Sequence, residues 1–180
     1  DKSVIRQHTN DRRCSLNPIA LYNWSSPNMK NRVLFLDRDG TIVVQKDGSY
    51  LSNLEEINFK NDNIESILNL NDEKLPIIIV TNQAGINKGI ITWKQVNLIN
   101  EHIRTHLENK GMNILDIYVC PHKIEELCYC RKPQPGLLLK ASREHNINLS
   151  ESMIVGDQNM DIEAGKNAGL KKGIKIWVYQ

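Results

Sequence analysis

A chain of 180 residues has room for one domain with a full core, or for one domain and an appendage. A formal charge of +2 is too small to argue for nucleic acid or a membrane surface as a partner, so attraction for an anion must come from local placement of Lys and Arg. No apolar run approaches the ~20 residues of a membrane span, and the opening DKSVIRQHTNDRR lacks the apolar centre of a signal peptide. Both point to a cytoplasmic protein.

Residues 1–31 read as an arm or linker: polar and basic, with an apolar patch at Ile19, Leu21, Tyr22 and Trp24 and a lone thiol at Cys14. The chain opens on Asp rather than Met, so an upstream fused domain is an expectation. Residues 32–180 read as one domain. VLFL at 33–36 is a buried strand, and Ile64, Ile67, Leu68 and Leu70 form a helical stripe. PIIIV at 76–80 is a second strand ending at TNQ. Thr92, with Gln95 three residues on, makes a capping box that opens a helix closed by Gly111. Ile114 to Cys120 is a third strand, and Pro135 in a first helical turn starts LLLKASREHN. MIVGD, within 152–157, is a fourth strand; Asp161 to Ala168 is a helix stopped by Gly169, and Ile174 to Tyr179 is a last strand. Continuous apolar strands separated by helices predict an α/β fold, a doubly wound parallel sheet. In such sheets ligands bind at the carboxyl ends of the strands.

The polar residues that stand out fall at those ends. LFLDRDGTI places Asp37 and Asp39 two residues apart after the first strand, with Gly40 able to turn both onto one point. Two such anions together call for a cation or a proton, and Mg²⁺ suits one or two carboxylates plus a phosphate. TNQAG puts the Thr81 hydroxyl and the Asn82 and Gln83 amides after the second strand. RKPQPG supplies Lys132, a compact charge for phosphate, fixed by Pro133. VGDQNMD offers Asp157 as a second metal carboxylate. Of the later three segments, TNQ alone could cap a helix, Arg-Lys could be solvated and Gly-Asp could be a turn; their order and their common position at strand ends argue for one site.

A second constellation is CPHKIEELCYCRKP. Cys120, His122, Cys128 and Cys130 give three thiolates and an imidazole, a closed tetrahedral set for structural Zn²⁺ with no ligand position left for water. Arg131 and Lys132 follow the last ligand directly. His102 and His106, four apart on a helix, have no carboxylate partner in a metal-binding arrangement and read as a solvated face.

The four segments resemble the motifs of haloacid dehalogenase (HAD) superfamily phosphatases, from about Val33 to Val178. The resemblance implies that Asp37 is a nucleophile forming an aspartyl-phosphate. It makes Asp39 the acid for the leaving oxygen and then the base for water. Thr81 and Lys132 then bind phosphoryl oxygens, while the carboxylates of Asp37 and Asp157 and the main-chain carbonyl of Asp39 hold catalytic Mg²⁺. Gln158 departs from relatives, which more often carry Lys or Ser there. The zinc loop resembles the branch of D-glycero-D-manno-heptose-1,7-bisphosphate 7-phosphatases and histidinol-phosphate phosphatases. TNQAGINKG and the GSY at 48–50 are similar to the heptose enzymes; the five residues between His122 and Cys128 are similar to the histidinol enzymes.

No insertion of domain size separates the motifs, so no large cap domain is expected. Specificity then falls to residues 45–52 with Tyr50, to the loop from Asn82 and Gln83 to Lys88, and to the zinc loop with Arg131. The expected partner is a small phosphorylated metabolite, in the first place a sugar bisphosphate. Polynucleotide 3′-phosphatases share D-x-D-G-T, TNQ-x-G and R-K-P but lack the Cys/His cluster, and a non-catalytic binding module of the same fold is the alternative of another class.

Overall fold

The structure is a computed structural model that describes residues 31–45 and 48–176. The arm expected at 1–31 lies outside the described residues apart from Asn31. Five strands follow in chain order: β1 (Leu34–Leu36), β2 (Ile77–Asn82), β3 (Ile114–Cys120), β4 (Met153–Gly156) and β5 (Lys172–Lys175). They form one sheet, ordered β3-β2-β1-β4-β5, in which every pairing is parallel. The helices are α1 (Asn61–Leu70), α2 (Trp93–Asn109), α3 (Gly136–His145) and α4 (Asn159–Ala168).

Period-2 alternation within the strands divides the core into two layers. Leu34, Leu36, Ile77, Ile79 and Val155 meet Ile64 and Ile67 of α1 and Ile99, Ile103 and Leu107 of α2. Phe35, Ile78, Val80 and Ile154 meet Leu137, Leu138 and Ala141 of α3 and Ala164 of α4. Helices therefore cover both faces, which is why the central strands have no polar side. Each large side chain buried here contributes about 1.5–3 kcal/mol relative to exposure.

Several local expectations hold to the residue. Thr92 and Gln95 exchange the reciprocal bonds of a capping box at the start of α2, and Gly111 takes φ +89 just past its end. Others shift. α4 begins at Asn159 rather than at Asp161, because the Asp161 carboxylate accepts from the Gln158 N–H at 3.1 Å and so sits inside the first turn. β5 occupies Lys172–Lys175 and not the apolar run from Ile174. As an edge strand its extent is set by backbone pairing of Lys172–Lys175 with Met153–Gly156, and most of its side chains are exposed. Trp177 to Tyr179 lie outside the described residues.

The order of strands reverses between β1 and β4, the crevice where ligands bind in such sheets. Among the described residues there is no second domain over the carboxyl ends, and no helix is long and apolar enough to cross a membrane.

Candidate active site and metal centre

Asp37 leaves the end of β1 with its N–H bonded to the Val155 carbonyl of β4 at 2.9 Å, so its side chain stands over the crevice. It is 6% exposed. Lys132 reaches it across the sheet end: the Nζ lies 2.5 Å from Asp37 Oδ1, 2.6 Å from Asp161 Oδ1 and 2.8 Å from the Val80 carbonyl. An ammonium has three donors, and all three are used. Burial pushes the Asp37 carboxyl up to about 7, against the pull of the neighbouring Lys132. Burial acts to lower Lys132, but Asp37 and Asp161 beside it outweigh that and hold the ammonium above its ordinary value.

Asp161 was not among the expected site residues. It is 1% exposed, and its signal in the sequence is the D-x-x-x-D spacing from Asp157 into a helix start. Gly156 allows the close approach, since a Cβ there would meet Asp161 Cγ at 2.5 Å. Thr41 is a second addition: its Oγ1 lies 3.2 Å from both Asp37 Oδ2 and Asp157 Oδ1. Gly40 turns the chain at φ +90, and a Cβ on it would press on the Asp157 carboxylate, 2.6 Å from its Cγ.

The carboxylates of Asp37, Asp157 and Asp161 bring oxygens within 4.8 Å of one another. Burial, with the Asp161 charge, raises Asp157 as well. Crowded, desolvated carboxyls of raised proton affinity fit a hard divalent cation, and Mg²⁺ with one or two carboxylates matches the donor set.

Asp39 turns away from this cluster. Its carboxylate accepts from Arg38 Nε at 3.1 Å, from Thr81 Oγ1 at 3.2 Å and from Gln83 Nε2 at 2.5 Å. The Thr81 hydroxyl, expected on a phosphoryl oxygen, is thus directed at Asp39, and Gln83 also donates to it at 2.8 Å. Gln83 is 1% exposed and sits behind the cleft as a support, not on its surface. Asn82 lines the cleft but holds the main chain of Lys132 with both ends of its amide, at 3.1 and 3.2 Å. Tyr50 and Arg131 do line the cleft, joined by Gln45, Gln158 and Met160. The cleft holds about 140 Å³.

The thiols of Cys120, Cys128 and Cys130 and the Nδ1 of His122 are gathered in one cluster. The sulfur–sulfur separations are 3.4, 3.5 and 3.7 Å, and Nδ1 lies 3.1 and 3.6 Å from two of the sulfurs. A tetrahedron built on zinc bond lengths has edges of about 3.5–3.8 Å, so the donors present fit Zn²⁺ with small adjustments. Arg131 is tied to this loop, its Nη1 donating to the His122 carbonyl at 3.3 Å. His106 is not the solvated residue its helix position suggests: it stacks on Phe59 with ring centroids 3.6 Å apart.

The family model of haloacid dehalogenase-like hydrolases matches residues 39–174. This chain belongs to that family. A D-glycero-alpha-D-manno-heptose-1,7-bisphosphate 7-phosphatase of Photorhabdus laumondii is 40% identical over 150 residues, 79% of this chain and 81% of that protein. A D-glycero-beta-D-manno-heptose-1,7-bisphosphate 7-phosphatase of Helicobacter pylori is 38% identical over 147 residues, 81% of this chain and 84% of that protein. Among solved structures, D,D-heptose 1,7-bisphosphate phosphatase from B. bronchiseptica, complexed with magnesium and phosphate, superposes with a TM-score of 0.70 at 27% identity over 78% of each chain. The HAD-like chain described here is accordingly a phosphatase, and the fold and family expected from its motifs are the ones found.

Proposed function

We propose that this HAD-like phosphatase is a magnesium-dependent phosphomonoesterase for a small phosphorylated sugar, in the first place the 7-phosphate of D-glycero-D-manno-heptose 1,7-bisphosphate. The observation that carries the chemistry is the buried Asp37–Lys132–Asp161 triad beside Asp157. The substrate rests on the named relatives.

Asp37 attacks phosphorus, the alkoxide leaves with a proton from Asp39, and the resulting aspartyl-phosphate is cleaved by a water that Asp39 deprotonates. Lys132 holds the Asp37 carboxylate in place and supplies positive charge where phosphoryl oxygens arrive. Asp37, Asp157 and the Asp39 carbonyl would hold Mg²⁺, which when bound offsets the charge of the transferring group. Thr81 can turn from Asp39 to a phosphoryl oxygen once substrate is in place. Arg131, at the rim, is the contact for the part of the substrate that is not transferred. Cys120, His122, Cys128 and Cys130 would hold Zn²⁺ as a structural ion that shapes the loop leading into Arg131 and Lys132.

The test is a panel of phosphorylated metabolites with purified protein and Mg²⁺, including heptose bisphosphate and histidinol phosphate, with Asp37→Asn as control. Phosphate release from the 7-position with kcat/KM above all other members supports the reading. Preference for histidinol phosphate overturns the substrate, and turnover by Asp37→Asn near the unmutated rate overturns the mechanism.

A further inference from the structure

Arg38 lies between the two aspartates of the first motif, and its side chain is only 2% exposed. Burial of a charged side chain this complete needs a reason. The guanidinium faces Asp39 with two nitrogens, Nε at 3.1 and 3.2 Å from its oxygens and Nη2 at 2.9 and 3.0 Å. On the far side Nη1 donates to Asn100 Oδ1 at 2.8 Å. Asn100 is 6% exposed and stands in α2 beside Ile99 and Ile103, where the helix otherwise presents apolar residues to the sheet. An amide inside such a stripe is a poor choice for helix formation and for packing. Arg38 explains it: the amide is the anchor for the guanidinium.

Stability alone does not account for the arrangement, because a buried ion pair is at best close to neutral against apolar residues of the same volume. What it does achieve is direction. A planar fork against a carboxylate fixes orientation as well as distance. Thr81 and Gln83 converge on Oδ2 of the same carboxylate. Asp39 is therefore held from two sides: by residues of β2 and the turn after it, and by a guanidinium anchored to α2.

We infer that Arg38, seated on Asn100, is the positioning residue that aims the Asp39 carboxyl for proton exchange with the leaving oxygen and the hydrolytic water. This rests on the phosphatase reading above. Arg38 does not line the cleft, and it acts only through Asp39.

The experiment measures single-turnover release of the leaving group, with Mg²⁺ present, from an aryl phosphate and from an alkyl sugar phosphate. An aryl oxide leaves without help from an acid; a sugar alkoxide needs the proton from Asp39. Arg38→Lys keeps the buried charge but loses the fork, and the ratio of alkyl to aryl transfer rates should fall by about ten- to a hundredfold, the scale of ångström-sized misplacement. KM for the alkyl substrate should change little. Asn100→Ala, remote from the reacting atoms, should shift the ratio in the same direction by a smaller factor, and it serves where Arg38→Lys does not fold. Alkyl and aryl rates falling together, or a lowered melting temperature with the ratio unchanged in both variants, overturns the proposal and leaves Arg38 a structural charge. Unmutated protein that releases neither leaving group overturns the phosphatase reading itself, and the inference with it.

Discussion

Replacing Gly40 by alanine places a methyl group where the Asp157 carboxylate now lies. Two costs follow, and the structure separates them. The first is conformational: φ is +90 at Gly40, and an L-residue in such a conformation costs about 1–2 kcal/mol. For a domain of this size that lowers the melting temperature by about 2–8 °C. The second is steric: the new Cβ would stand 2.6 Å from Asp157 Cγ. Ordinary carbon contacts are about 3.5–4 Å, so the carboxylate must retreat by about 1 Å or more. A proposed metal ligand displaced that far should cost on the order of a hundredfold in kcat/KM and raise the Mg²⁺ concentration needed for half-maximal rate. Gly111→Ala provides the control, since φ is +89 there and nothing lies within 4 Å of the added Cβ. It should lose similar stability and keep its activity. The assay is a Mg²⁺ titration of turnover beside thermal melts of both variants. Wild-type kcat/KM in Gly40→Ala, or an equal loss of activity in Gly111→Ala, would refute the reasoning.

Three further expectations follow from the same geometry. Asp161→Asn removes one of the two carboxylates on Lys132 while keeping an acceptor, so we expect about 1–3 kcal/mol less stability in denaturant melts and a lower kcat; unchanged kcat would show that Asp161 does not help to place Lys132. Cys128→Ser should strip zinc, lower the melting temperature and reduce kcat/KM on the order of a hundredfold with Mg²⁺ dependence intact, because the loop it closes ends at Arg131 and Lys132. Elemental analysis identifies the zinc-free variant, and wild-type kinetics in it would reduce the cluster to a remote staple. The last concerns pH. Burial raises the Asp37 carboxyl from 3.8 to about 7, so metal-free protein grows less stable as pH rises through that window, where the unfolded chain has already ionised. Mg²⁺ removes that cost, and its stabilising effect in thermal melts should be larger at about pH 8 than at about pH 5; an equal shift at both would place the cation elsewhere.

What the sequence showed and what it hid divide along physical lines. Apolar continuity located β1, β2 and β4, because a strand buried on both faces cannot carry polar residues, and capping chemistry located α2, because its signal is local. The residues of the proposed site are legible where a polar residue ends an apolar run, as at Asp37 and Asp157. They are hidden where a charge is consumed internally. Arg38 beside two aspartates reads as part of a solvated turn, and Asp161 reads as an ordinary helix start, until tertiary structure buries both. Asn82 and Gln83 look like ligands for the same reason: an amide at a strand end offers the same donors to a substrate as to the protein, and only the fold shows that Asn82 grips the Lys132 backbone and Gln83 lies behind the cleft. β5 was displaced because an edge strand is defined by pairing and not by its apolar content.

The contacts that make the active centre are long ones in the chain. Lys132 meets Asp37 across 95 positions, and Thr41 meets Asp157 across 116. Parallel pairing and such distant closures carry loop entropy that must be met before any contact forms, which makes them late events in assembly. The carboxylate cluster exists only where β1 and β4 have paired, so a cation that binds it recognises a chain in which that closure has been made. By mass action the metal then favours states that hold this pairing over those that lack it. The proposed catalytic centre is also a checkpoint on whether the middle of the sheet has closed.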